Sequence, residues 1–159
     1  MTRLAVAVPL PDDWQVLDLD PEQRSRGALV AALLAGRDDD GVLAASLDVV
    51  VTPLGRAGPP TRTAADGVAV VLARAVSPYR SVTRLDLPSG PAVGLQDVLR
   101  HPDGGQVGIA QVWLPLADAR ALVLTLSTPC LDQHDGLTRL LSAVAHGLVV
   151  DLRDEAAGV

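Results

Sequence analysis

The stretch TPCLDQHDGL, residues 128–137, holds the only cysteine of the chain together with His134, Asp132 and Asp135. Its types and spacing pose one chemical question. A thiol near a helix start with a histidine four residues on is the pattern of an activated nucleophile, because a helix N-terminus favours the thiolate. The same residues also suit the opening of a helix. Ser127 or Thr128 would cap, Pro129 would take the first turn, and Asp132 and Asp135 would complement the helix dipole. Every polar group then has a local structural task, and the aspartates oppose a thiolate at Cys130. The sequence therefore favours a helix start and keeps a thiol enzyme or redox sensor, Cys130 with His134, as the rival.

Metal chemistry finds less support. His134 and His146 lie on one helix about 18 Å apart, at roughly 1.5 Å per residue, and cannot share an ion. His101 falls in RHPDGG, a hairpin sequence, and pairing it with Asp97 or Asp103 for acid–base work needs groups that spacing does not supply. HPDGG lacks the strand–loop–helix setting and the lysine of a phosphate loop. No cofactor and no metal is expected.

The elements that must position these residues are legible in part. At 159 residues the chain reads as one domain spanning 1–150, with 151–159 as a polar tail. Aromatics are 2% of a composition that is 48% apolar, so the core must be built from Val, Leu and Ala. RLAVAVP reads as a first strand. DPEQRSRGALVAALLAG reads as a helix: Asp20 caps, Pro21 follows, Gln23 completes a capping box, and Leu29, Val30, Leu33 and Leu34 form a stripe up to Gly36. Asp38, Asp39 and Asp40 read as a solvated turn, and LAASLDVVVTPL as a long strand. GRAGPPTRT, 55–63, is a loop. TAADGVAVVLARAV carries helical spacing with Thr63 and Asp66 as a cap pair, but its β-branched centre leaves helix or strand open over 64–76. From Ser81 to Thr128, four alternating segments with short linkers predict an antiparallel meander. Its third strand is apolar on both faces, with Val107, Ile109 and Trp113 opposing Ala110, Val112 and Leu114, so both faces of the sheet should be covered. Leu137, Leu140, Leu141, Val144 and Leu148 predict a closing amphipathic helix.

The segment VWLPLADARALVLTLSTPCLDQHDGLTRLLSAVAHGLVV, 112–150, resembles the closing strand–strand–helix of the Mog/PsbP-like superfamily, especially its small actinobacterial members of unassigned function. The resemblance implies an α/β (α+β) sandwich with a central, mainly antiparallel sheet of about six strands flanked by helices. It also implies accessory or adaptor work without catalysis, and it carries over no catalytic residue.

Charge narrows the partners. The net charge is −6, all basic residues are arginine, and no basic patch offsets the acid, so nucleic acid is a poor partner. No apolar run is long enough to span a membrane, and a single cysteine fits a reducing compartment, so the cytoplasm is expected. The function expected from the sequence is a non-enzymatic protein-binding module acting through an acidic surface, with homo-oligomerisation as a variant. Arg56, Arg62, His101 and Asp103, in or beside the exposed loops, are its candidate contact residues. A small-molecule binder with a pocket between sheet and helices is the third reading.

Overall fold

The computed structural model describes residues 2–35, 43–54, 62–75, 77–100 and 102–154. The elements run β1 (Thr2–Ala7), β2 (Trp14–Val16), α1 (Pro21–Ser25), β3 (Ala28–Ala35), β4 (Leu43–Pro53), α2 (Arg62–Ala73), β5 (Ser81–Leu87), β6 (Gly90–Arg100), β7 (Gln106–Pro115), β8 (Arg120–Thr128), α3 (His134–His146) and β9 (Val149–Asp154). A single 3₁₀ turn, Leu131–Gln133, precedes α3. Seven strands form one sheet in the order β2-β3-β4-β8-β7-β6-β5, and β1 pairs with β9 in a separate ribbon. Every pairing is antiparallel. The result is a sheet-dominated α+β fold.

Strand alternation sends one row of side chains to each face. Leu47, Val49, Ala110, Val112, Leu122, Leu124 and Leu126 share the face on which α3 lies, and they form the core with Leu137, Leu141 and Val144 of that helix. Leu4, Val6 and Val150 of the ribbon pack against the same core. The opposite face of β5, β6 and β7 carries α2, whose Asp66 pairs with Arg84 of β5. The meander, its two-sided covering and the amphipathic α3 thus follow the sequence reading, and 64–73 resolves as helix.

Three expectations are corrected. The helix over 20–36 is one turn long. Its capping box is present, with Asp20 Oδ1 accepting from Gln23 N–H at 2.7 Å and Gln23 Oε1 from Asp20 N–H at 2.9 Å. Gly27 then turns the chain at φ +91°, and Leu29, Val30, Leu33 and Leu34 continue in β3 between β2 and β4. A side chain at Gly27 would bring its Cβ to 2.2 Å from the Val51 carbonyl oxygen, so the crossing onto β4 requires glycine. The polar tail is the second correction: Asp151–Asp154 extend β9, in register with Thr2–Ala5 of β1. Residues 155–159 lie outside the described residues, as do Asp38, Asp39 and Asp40 and the loop 55–61. The third correction is the cap of α3. Thr128 ends β8, and its Oγ1 accepts from Cys130 N–H at 3.0 Å, while the helix itself starts after the 3₁₀ turn without a side-chain cap.

Candidate functional site

The segment that raised the chemical question is held by the sheet. His134, only 7% exposed, turns its ring onto Gly108 of β7. Its Nε2 lies 2.9 Å from the Ile109 carbonyl oxygen, so Nε2 carries the proton and donates. A Cβ at Gly108 would fall 2.9 Å from His134 Cγ, and the missing side chain is what admits the ring. Cys130 is half-buried at the N-terminal end of the 3₁₀ turn, and among the described residues no hydrogen bond joins its thiol to His134. The histidine anchors the start of α3 to the sheet.

A buried polar centre lies on the α2 face that sequence spacing did not reveal. Asp97, 1% exposed in the middle of β6, accepts from Ser77 Oγ at 2.6 Å, Arg80 Nε at 2.9 Å and Val98 N–H at 2.8 Å. Arg80 Nη1 also donates to the Leu72 carbonyl at 2.9 Å, which closes the C-terminal end of α2. Burial alone would raise the Asp97 carboxyl, but the Ser77 and Val98 hydrogen bonds and the Arg80 guanidinium outweigh it and hold the group below the usual carboxylate range. All acceptor sites are taken up in joining helix to sheet. An aspartate amid apolar strand residues, VGLQDVLR, was the available signal, since Asp is depleted in strands unless something binds it. Asp118, in the β7–β8 turn, is likewise lowered, first by the hydrogen bond from Arg120 at 2.7 Å and further by its charge, against a smaller effect of burial. Asp48 of β4 behaves oppositely: the residue is exposed, but partial desolvation between β3 and β8 pushes its carboxyl up.

Two surface features remain as places for a partner. A groove of about 210 Å³ opens on the α3 face, between that helix and β5–β6. Thr83, Gln96, Arg139 and Ser142 supply its polar groups, and Val112 and Leu141 its apolar floor. Gly94 keeps it open, because a Cβ there would meet Thr83 Oγ1 at 3.0 Å. The second feature is the edge of the sheet at β2. Val16 is 63% exposed, and Asp12, Asp13 and Asp18, all exposed, flank the strand.

Of the four candidate contact residues, two fall among the described residues. Arg56 and His101 lie outside the described residues, and Arg62 opens α2. Asp103 sits in the β6–β7 turn, where its Oδ1 accepts from Gly105 N–H at 2.9 Å, an Asx turn beside Gly104 at φ +92°. His146 Nδ1 donates to the Ser142 carbonyl on its own helix. Among the described residues no group of three or more His, Cys, Asp or Glu is placed to hold a metal ion, and no helix is long and apolar enough to cross a membrane.

The architecture defines a class of protein by its fold: an antiparallel sheet with α3 and a terminal ribbon on one face and α2 on the other. No protein-family model matches the chain, and no curated protein matches it in sequence. Among solved structures it is similar to the crystal structure of LpqN, involved in cell envelope biogenesis of Mycobacterium tuberculosis, with a TM-score of 0.63 over 93% of this chain and 84% of that one. Identity is 13%, so the likeness is one of fold.

Proposed function

We propose that this chain is a non-enzymatic accessory module that binds another protein through the acidic sheet edge at β2. The observation that carries this reading is the exposed Val16 in an edge strand framed by Asp12, Asp13 and Asp18. An edge strand offers unpaired backbone groups to an extended segment, and an exposed valine gives that segment an apolar contact. The carboxylates select a segment rich in Arg or Lys and repel acidic ones, while the net charge of −6 steers a basic partner at longer range. The involvement of LpqN in cell envelope biogenesis and the resemblance of 112–150 to the Mog/PsbP-like superfamily are both compatible with accessory work; neither transfers a partner. The module's expected place, the cytoplasm, belongs to the same proposal and is checked by fractionation.

The test is capture of host proteins on the immobilised full chain at low and high salt, beside an Asp12→Arg/Asp13→Arg variant with an unchanged melting curve. The expected result is a stoichiometric partner held at low salt, released at high salt and lost by the variant. Equal capture by the variant, or no partner for either protein, overturns the reading.

The groove beside α3 favours a second reading, a small-molecule binder, because hydroxyls, an amide and Arg139 surround its apolar floor. A metabolite panel read by thermal shift, with Ser142→Arg filling the groove, separates it from the first.

A further inference from the structure

The groove beside α3 departs in charge from the rest of the molecule. The chain has 19 acidic residues against 13 basic ones. Yet among the described residues that line the groove none is Asp or Glu, and the one charged group is Arg139. Helical spacing offers that arginine a partner, because Asp135 lies four residues before it, in the favourable order for an i, i+4 pair. The Asp135 carboxylate instead accepts from Gln96 Nε2 of β6 at 3.1 Å. Among the described residues Arg139 makes neither a hydrogen bond nor an ion pair.

The hydroxyls around it add donors. Thr138 spends its proton on the His134 carbonyl at 2.8 Å. Ser81 and Thr83 of β5 and Ser142 of α3 have no side-chain hydrogen bond among the described residues. Ser142 follows Arg139 at i+3, so guanidinium and hydroxyl share one side of the helix, and β5 presents its hydroxyls from the opposite wall. A guanidinium takes the two oxygens of a carboxylate in parallel bonds, and hydroxyls donate to the lone pairs left over. One cation balances one negative charge, which favours a carboxylate over a phosphate dianion. Between the walls lies the apolar floor of Val112 and Leu141. A cavity of roughly 150 Å³ holds one benzene ring. The groove's volume of about 210 Å³ therefore suits a ring or branched chain together with its carboxylate.

We propose that this groove binds a small monocarboxylate with a compact apolar body. Arg139 and Ser142 hold the carboxylate, and Val112 and Leu141 carry the body. The proposal rests on the second reading above, that the groove takes a small molecule, and names the class of that ligand.

The experiment is a titration of the isotope-labelled full chain with benzoate, followed by amide NMR shifts. Benzyl alcohol serves as the uncharged body, and inorganic phosphate as an anion without one. The expected result is saturable shifts in α3, β5 and β6, with benzoate bound about tenfold or more tighter than benzyl alcohol. Arg139→Gln, at an exposed position, is expected to remove that advantage so that the two ligands bind alike. Ser142→Phe fills the groove without adding charge and is expected to abolish the binding of both. Benzoate bound no tighter than benzyl alcohol, or bound equally well by Arg139→Gln, overturns the carboxylate assignment. The small-molecule reading then stands if Ser142→Phe still abolishes benzyl alcohol binding. Phosphate bound as tightly as benzoate also overturns the proposal, since the apolar body then contributes nothing. If none of the three probes gives saturable shifts, the proposal fails, and a blank metabolite panel beside that result removes the small-molecule reading as well.

Discussion

At the scale of single residues, His134, which looks chemical in the sequence, fastens α3 to the sheet. Its ring lies against bare backbone at Gly108. Gly108→Ala is expected to cost about 1–3 kcal/mol by overpacking, measured by chemical denaturation. The same alanine in a His134→Ala background should cost much less, since the ring it strikes is gone. The Asp97 centre makes a different prediction. Its carboxyl is below the ordinary value of about 3.9, so it adds stability that is complete above that pH and is lost as pH falls through its folded-state value. Arg80→Ala leaves the carboxylate buried without its cation and is expected to cost about 3 kcal/mol at neutral pH. It also moves the onset of acid unfolding to higher pH, because burial then acts on Asp97 with less opposition. Arg80→Lys rescues little: an ammonium cannot replace the two guanidinium nitrogens on Asp97 Oδ2 and also reach the Leu72 carbonyl in the same fork geometry.

At the scale of elements, Gly27 decides more than the capping box does. Gly27→Ala places a Cβ against the Val51 carbonyl at positive φ, and a loss of about 3 kcal/mol is expected in a thermal melt. Asp20→Ala, which removes the cap of an exposed single-turn helix, should cost no more than about 1 kcal/mol. That contrast explains where the sequence misled. ALVAALLA is apolar throughout, so it satisfies the helical period and the strand period equally, and a genuine cap signal upstream tipped the reading to helix. The structural cue was Gly27, lying between the cap and the apolar run at positive φ. The meander was legible because its linkers are short and its alternation is clean. β9 was not, because VVDLRD acquires its pairing only from β1 at the far end of the chain, a contact with no local signature. The site followed the same division. Leu137, Leu141 and Val144 announced the buried face of α3, whereas Ser77, Arg80 and Asp97 are brought together only by the hairpin of β5 and β6.

At the scale of the whole molecule, the β2 edge and the groove beside α3 carry the functional questions. One is acidic with an exposed valine; the other sets a lone arginine and hydroxyls around an apolar floor. The seven-strand order also has a consequence for how the sheet comes into being. β2, β3 and β4 follow one another in the chain, as do β5, β6, β7 and β8, and a single seam, β4 on β8, joins the two runs. Within each run neighbours meet early, because the intervening chain is short; at the seam, Val50 must find Val123 across a long stretch of chain. Refolding should therefore proceed with the 81–128 meander ahead of the seam. In pulse-labelled hydrogen exchange, the amides that β6 and β7 spend on each other are expected to gain protection before those that β4 gives to β8. Simultaneous protection would show instead that the zipper between the halves is where folding starts.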